Sequence, residues 1–571
     1  MKLLEHFKEL TLHPKNAQEL KGLILQLAVQ GKLTRKWREE NPDVEPASVL
    51  LKKLEVKKKK LIQDKQIRKE QPLEPIYEED VISSIPPSWE LVRLGEIGDW
   101  GAGATPSRSR SDYYGGNINW FKSGELNNGI IDYNSEETIN ELALKNSSLR
   151  LNKIGDVLIA MYGATIGKTA ILAVEGTTNQ AICACTPFAC ISNVYLHLLL
   201  KALKGKFIDQ GEGGAQPNIS RVKIRNQVFG LPPLEEQKAI VEVVNQLFAE
   251  IEQLEALTKE RIQLKSDFVT SALNQITQAG EQDTSTQWAF LQQHFGTFFT
   301  EKENIKKLRE GILQLAVQGK LTHHWRSTTR LSGVEVEPAS ILLAKIKAEK
   351  EQLIKAGKIK KEKPLTEISE DKIPYELPEE WVWSDIESVC NKVTDGFHHT
   401  PLKLESGFKY ISATHVKEDG ILWNECLFIG EKEHSELYKK AKPSKGDILI
   451  VNRGAGCGTP AMVDIDEPFS FQNAALIGFN QSLIDPLFMN FYVLQKRSEI
   501  MENFTNGGAQ PMLSNKILKT LMFPFPPIAE QQAIVEKVNG LFALCDQLDQ
   551  EIETHQNTQE HWMESCLREV V

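Results

Sequence analysis

The chain has 571 residues, 41% hydrophobic and 25% charged, with a formal net charge of −10. That length calls for several domains of ordinary soluble composition. Three features make the cytoplasm the expected compartment: no apolar run nears the ~20 residues of a membrane span, Met1–His6 lacks a secretory apolar stretch, and eight Cys without regular spacing form no disulfide framework. The acidic balance also argues against a free-standing basic nucleic-acid binder, though not against one whose partners supply phosphate contacts.

Taken in order, the chain is written twice. Ile24–Thr34 reads ILQLAVQGKLT, and Ile312–Thr322 repeats the same letters. Trp37-Arg38 returns as Trp325-Arg326, Glu45–Ser48 as Glu337–Ser340, and Pro86 to Trp89 more loosely as Pro378 to Trp381. Residues 45–69 and 337–355 are rich in Leu, Lys and Glu and are expected to be helices, with Pro46 suited to a first turn. The similarity fades through a middle of more than a hundred residues. It returns at Gly213–Pro217 and Gly507–Pro511, then at Pro232–Gln237 and Pro526–Gln531. After each Pro-Pro pair an apolar seam steps by four and three: Ile240, Val244, Leu247, Ile251, Leu254, and Ile534, Val538, Leu541, Cys545, Leu548, Ile552. This spacing is that of a coiled coil, or of an amphipathic helix lying on its own domain. The middles hold more Gly, Asn, aromatic and β-branched residues, and 156–160 and 447–451 are expected to be buried strands. Gln278–Gln287 is polar and is expected to be a flexible link between the modules.

Enzyme signatures fail on inspection. Gly163–Thr169 has three residues between its glycines where a phosphate loop needs four, so it reads as a Gly-rich turn after a buried strand. Glu55 and Lys57 echo a nuclease pattern but sit in a Lys-rich helix and are not repeated. Cys183, Cys185 and Cys190 fit no zinc spacing and read as core. Neither a nucleophile elbow nor a dinucleotide fingerprint is present. Lys52, Lys53 and Lys57 to Lys60 read as a solvated face, a partner patch or a DNA-backbone contact. Trp37 and Trp325 read as packing anchors or as parts of a docking surface.

Near-identical flanks around divergent middles imply one kind of partner bound twice and two different targets. Over essentially its whole length the chain resembles the DNA-specificity subunit of type I restriction–modification systems. The resemblance rests on Val228–Gln237 and Leu521–Gln531 ending the middles. It rests also on Thr105-Pro106 with Tyr113, Tyr114 and Trp120, more loosely on Thr400-Pro401 with Tyr410, and on Asn179-Gln180 with an inverted Gln472-Asn473. It implies an α/β (α+β) fold: two mixed α/β target-recognition domains separated by long helices forming an antiparallel coiled coil, with an internal pseudo-two-fold repeat. The expected divisions are a helical region over 1–84, a recognition domain over 85–231, a central helical region with a linker over 232–373, a second recognition domain over 374–525 and a terminal coiled-coil helix over 526–571.

The resemblance further implies that each domain reads one half of a split, asymmetric double-stranded DNA site, with the helices as a ruler. Two methyltransferase subunits using S-adenosylmethionine would dock on the helical regions and methylate adenine N6. Restriction subunits would bring ATP and Mg. The chain itself would be non-catalytic and would hold neither cofactor nor metal. Major-groove readout draws on Arg or Lys for guanine and Asn or Gln for adenine. In the first middle the candidates are Arg108, Arg110, Tyr114, Lys122, Tyr162, Asn179, Gln180, Gln216 and Asn218. In the second they are His398, His399, Lys409, His415, Asn452, Arg453, Gln472, Asn473 and Gln510. Any one of them reads equally as an exposed loop residue or a structural hydrogen-bonding group. The competing reading is a coiled-coil scaffold presenting two domains to protein ligands.

Overall fold

The structure, a computed structural model, describes residues 16–65, 67, 70–77, 85–211, 218–359, 373–397, 400–454, 456–503 and 512–570. The first module opens with α1 (Asn16–Val29) and α2 (Ala47–Gln63). The expected 45–69 helix is trimmed at both ends. Pro46 is its N-cap, and Lys65 leaves it in the left-handed region at φ 57°. The first middle contains β1 (Glu90–Arg93), β2 (Gly98–Ala102), β3 (Tyr114–Phe121), β4 (Val157–Ala160), β5 (Thr169–Leu172), β6 (Gly176–Thr178), β7 (Ile182–Pro187), α3 (Asn193–Ala202) and β8 (Val228–Leu231). β2, β7, β4 and β5 lie side by side in that order in one sheet. In a second sheet β3 runs parallel to β6. β1 pairs antiparallel with β8, Glu90 opposite Leu231, so the middle closes on itself where it leaves its frame. β4 is buried throughout, as its unbroken apolar run requires, and Cys183 and Cys185 are core residues of β7. Beyond Pro232-Pro233 comes α4 (Leu234–Gln278).

The second module repeats the plan: α5 (Glu281–Gln293), α6 (Lys302–Val317), α7 (Ala339–Lys355), β9 (Val382–Asp385), β10 (Lys392–Asp395), β11 (Phe408–Ser412), β12 (Ile448–Val451), β13 (Pro460–Met462), β14 (Phe469–Gln472), β15 (Ala474–Gly478), α8 (Pro486–Asn503), β16 (Met522–Phe525) and α9 (Ile528–Val570). Its sheet order is β10, β15, β12, β13; β11 runs parallel to β14; and β9 pairs with β16. The chain divides into two compact units, the divisions falling inside α4 after Arg261 and inside α9 after Asn557. No helix among the described residues is long and apolar enough to cross a membrane.

The flexible link expected over 278–287 is not what the structure contains. Helix continues to Gln278 and resumes at Glu281, with a break at Ala279-Gly280. Thr284 donates back to the Gly280 carbonyl at 2.9 Å, and Trp288 and Leu291, three apart on one helix face, pack into the core. The polar composition there belongs to the outer face of a helix.

The repeated motifs meet at one buried carboxylate per module. Glu236, from the segment after Pro-Pro, is fully buried. Its Oε1 accepts from Arg38 Nη1 at 2.5 Å and Thr34 Oγ1 at 2.7 Å, and its Oε2 from Trp89 Nε1 at 2.8 Å. Glu530 accepts from Arg326, Thr322 and Trp381 at the same 2.5, 2.7 and 2.8 Å. The next residue clamps the middle. Gln237 accepts from Ser192 N at 2.9 Å and donates to Cys190 O at 2.9 Å. Gln531 accepts from Asp485 N at 2.8 Å and donates to Leu483 O at 3.3 Å. Segments far apart in sequence recur together because they are one hydrogen-bonded joint.

Gly31 and Gly319 serve that joint. They turn at φ +69° and +71°, and a Cβ on either would stand 2.7 Å from Pro86 or Pro378 and 3.0 Å from the Trp89 or Trp381 ring. Gly319→Ala is expected to cost about 1–3 kcal/mol through the left-handed backbone alone. It would be read as reduced hydrogen-exchange protection in the second unit of the full chain, with the first unit as internal control.

The seams of the long helices are filled locally. Ile240, Val244 and Ile251 share a buried cluster with Leu20, Leu23, Ile24 and Leu27 of α1. Lys21 lies over the Phe248 ring and pairs with Glu252 at 2.8 Å. In the second unit Ile534, Val538, Leu541 and Cys545 share a cluster with Ile305, Leu308 and Ile312 of α6, and Arg309 reaches Asp546 at 2.6 Å over the Phe542 ring. The four-three spacing over these residues therefore records the packing of each long helix on its own module's α1 or α6, the helix that runs into the eleven-residue repeat.

Candidate nucleic-acid interface

In each middle, local pairing brings the Thr-Pro segment to the Asn/Gln turn. Ala104 N donates to Thr178 O at 3.0 Å and Phe397 N to Phe471 O at 2.9 Å, laying both segments beside the end of the parallel strand pair. Thr105 Oγ1 donates to Gln180 Oε1, and Gln472 Nε2 donates to Thr400 Oγ1 at 3.3 Å. Gln180 and Gln472 thus both contact the threonine of the Thr-Pro segment, Gln180 from two residues beyond Thr178 and Gln472 from one residue beyond Phe471. Met161 N donates to Ala181 O at 2.8 Å, as Asn452 N does to Asn473 O at 3.1 Å. Tyr162 bridges to Asn218 and Arg453 to Met512, both antiparallel.

The first face is a cation–aromatic cluster. The Arg108 guanidinium lies 4.7 Å from the Tyr114 ring centre and 5.1 Å from that of Trp120, with Lys122 5.9 Å from the latter. Glu137 bridges both cations, at 2.8 Å from Arg108 and 2.6 Å from Lys122. Hydrogen bonds from Arg108, and then from Lys122, hold its carboxyl below the usual carboxylate range. Arg110 grips Asp112 with two hydrogen bonds of 2.8 and 2.7 Å and lies over the Tyr113 ring. Tyr114 OH donates to Pro106 O at 2.7 Å, and Trp120 Nε1 to Ala104 O at 3.0 Å. Arg108 and Arg110 are exposed and Lys122 is half-buried, yet each stands against a carboxylate. The platform therefore offers oriented N–H groups with little net positive charge.

The second face is built differently. Lys409 pairs with Glu467 at 2.6 Å. Asn452 Nδ2 donates to Asp395 Oδ1 at 3.0 Å, and Asn473 sits at φ 56°. His415, expected on a DNA-facing loop, is buried. Its Nδ1 accepts from Ser412 N at 3.1 Å, and its Nε2 lies 3.0 Å from Glu425 O. It closes a turn, the task Glu125 performs in the first middle by accepting from Lys122 N at 2.7 Å. Gln472 is also mostly buried, receiving the Tyr410 hydroxyl. Asn179 Oδ1 is used within its own turn, by Ala181 N at 3.2 Å. Tyr162 and Asn218 are exposed. Gln216, His398, His399 and Gln510, with the Gly-Gly-Ala-Gln-Pro segments, lie outside the described residues.

Sequence reasoning missed Glu137. It precedes a two-residue strand, Thr138–Ile139, whose antiparallel pairing with β3 brings it to Trp120. No local pattern announces that partner. Glu55 pairs with Lys59 one turn along α2, as a helix-surface pair does.

The chain matches the family model for the type I restriction modification DNA specificity domain twice, over residues 86–264 and 378–555. It is 28% identical over 567 residues to the type I restriction enzyme EcoAI specificity subunit of Escherichia coli, covering 95% of this chain and 92% of that one. It is 26% identical to the EcoEI specificity subunit of the same organism, with the same coverages. A solved HsdS subunit from Thermoanaerobacter tengcongensis aligns over 86% of this chain and 98% of its own at 15% identity, with a TM-score of 0.39. With both middles and the segments that follow them matched in duplicate, this chain belongs to the type I restriction–modification DNA specificity family.

Proposed function

We propose that this chain chooses the DNA site for a type I restriction–modification complex and leaves the chemistry to its partners. Each middle reads one half of a bipartite, asymmetric double-stranded site in the major groove, and the long helices set the unread gap. Two methyltransferase subunits dock on the two copies of the helical frame and methylate adenine N6 with S-adenosylmethionine. Restriction subunits add ATP- and Mg-dependent translocation and cleavage, all in the cytoplasm. The observation that carries this reading is the pair of matched frames, down to the Thr–Gln contact, with different side chains at their tips. A scaffold for protein ligands would not need a cation–aromatic platform in one copy and, in the other, an exposed guanidinium with no ion pair among the described residues.

Mapping N6-methyladenine across the host genome with and without the gene tests it. A single bipartite motif that vanishes on deletion is the expected result. An unchanged methylome, with no methyltransferase co-purifying, favours the scaffold.

Glu137→Gln should release two cations without adding bulk. In the assembled complex it is expected to tighten binding to non-cognate duplex at low salt. It should steepen the log–log salt dependence by about 0.9 for each new phosphate contact. Anisotropy titrations between low and moderate salt check this, and an unchanged slope would leave Glu137 as a local brace only.

A further inference from the structure

We infer that Arg453 reads a guanine in the half-site of the second middle, and that Tyr162, at the same station of the first, imposes no guanine there. The inference rests on the DNA-reading function proposed above. Both residues follow the buried central strand of their sheet, β12 or β4. Both are fixed by the same backbone contacts on either side. Leu513 N donates to Asn452 O at 2.9 Å, as Ile219 N does to Met161 O at 2.9 Å, while Arg453 bridges Met512 as Tyr162 bridges Asn218. A glycine with positive φ follows each, Gly454 at +94° and Gly163 at +59°, and a Cβ on either would meet nothing within 4 Å among the described residues. The station is a strand end held by backbone hydrogen bonds, and the two modules differ in what they place there.

Arg453 also differs from three other cations of the second middle. Lys409 is paired with Glu467, Lys392 with Asp447 and Arg497 with Glu418. Arg453 is exposed and has no ion pair among the described residues; its Nη2 rests 3.3 Å from the Met512 sulfur. A soft, weak acceptor holds the guanidinium in place without spending its charge. Its planar fork of donors matches the O6 and N7 acceptors of guanine, which present two lone pairs side by side in the major groove. An ammonium lacks that planar fork and reaches the pair only as a flexible point charge, and a phenol offers one hydroxyl.

The test uses the full chain assembled with its methyltransferase subunits and duplexes randomised across both half-sites, with bound molecules sequenced. The wild type should select one invariant G·C pair in the second half. Arg453→Ala should lower that preference roughly 10- to 100-fold and leave every position of the first half unchanged. Arg453→Lys keeps the charge, and it should keep non-cognate affinity while losing most of the preference. Tyr162→Arg should add a guanine preference in the first half. A uniform loss of binding for Arg453→Ala, rescued by Lys, would make Arg453 a phosphate contact and overturn the inference. A changed first half would overturn it too. If the wild-type complex selects no sequence at all, the function proposed above fails, and not merely the role of this residue.

Discussion

Replacing Glu236 with alanine is expected to cost the first unit about 3–5 kcal/mol, the range for breaking a buried ion pair from one side. Its carboxylate is fully buried and receives an arginine and a threonine from one segment and a tryptophan from another. Without it Arg38, whose side chain is 21% exposed, keeps among the described residues only neutral partners, the Gly31 carbonyl at 2.7 Å and the Thr34 hydroxyl at 3.1 Å. A chain of two units does not unfold in one step, so a single midpoint would blur the result. Hydrogen exchange on the full chain resolves it. Protection should fall at the end of α1, at β1 and at the start of α4, with the second unit as internal control. The double variant Arg38→Met with Glu236→Met should recover much of the loss, because a packed apolar pair carries no stranded charge. If the double variant is as damaged as the single one, the carboxylate matters through its hydrogen bonds to Thr34 and Trp89 instead.

Trp120→Ala carries the second large effect. The indole is 2% exposed, lies under Arg108 and Lys122, and meets Tyr114 edge-on at 6.1 Å. Removing it should destabilise the first middle by about 3–5 kcal/mol. It should also dissolve the platform that orients both cations. Trp120→Phe separates the two consequences. It keeps a ring beneath the guanidinium and loses the Nε1 bond to Ala104 O, worth about 1 kcal/mol. Hydrogen-exchange protection of the first middle should rank wild type above Phe and Phe above Ala. Half-site selection should weaken in the first half alone, and most for Ala. Equal selectivity in a folded Trp120→Ala protein would remove the aromatic platform from any part in reading.

What the sequence makes legible follows from how local its causes are. The helices of the frame announce themselves by spacing, and β4 and β12 by unbroken apolar runs. The repeats mark the joint before its chemistry is known: Thr34, Arg38, Trp89 and Glu236 recur together because they touch. The link at 278–287 was misjudged because Trp288 and Leu291 are only two inward residues in a polar stretch, and what they pack on is not local. His415 looked like a groove-facing group for a similar reason. Only the turn it closes, equivalent to the one closed by Glu125, shows its task. Glu137 was invisible because its meaning depends on a strand pairing across the platform.

The clamp by Gln237 and Gln531 has a consequence for how such a protein changes over generations. Both glutamines hold their inserts through main-chain atoms: Cys190 O and Ser192 N in one, Leu483 O and Asp485 N in the other. Main-chain atoms are the same whatever side chains the insert carries. Drift or exchange within a middle can therefore leave the socket intact, and the frame's surface need not adapt when a new target is acquired. Novelty in what is recognised is decoupled from constancy in what does the recognising's chemical work, and a lineage can explore the first without risking the second.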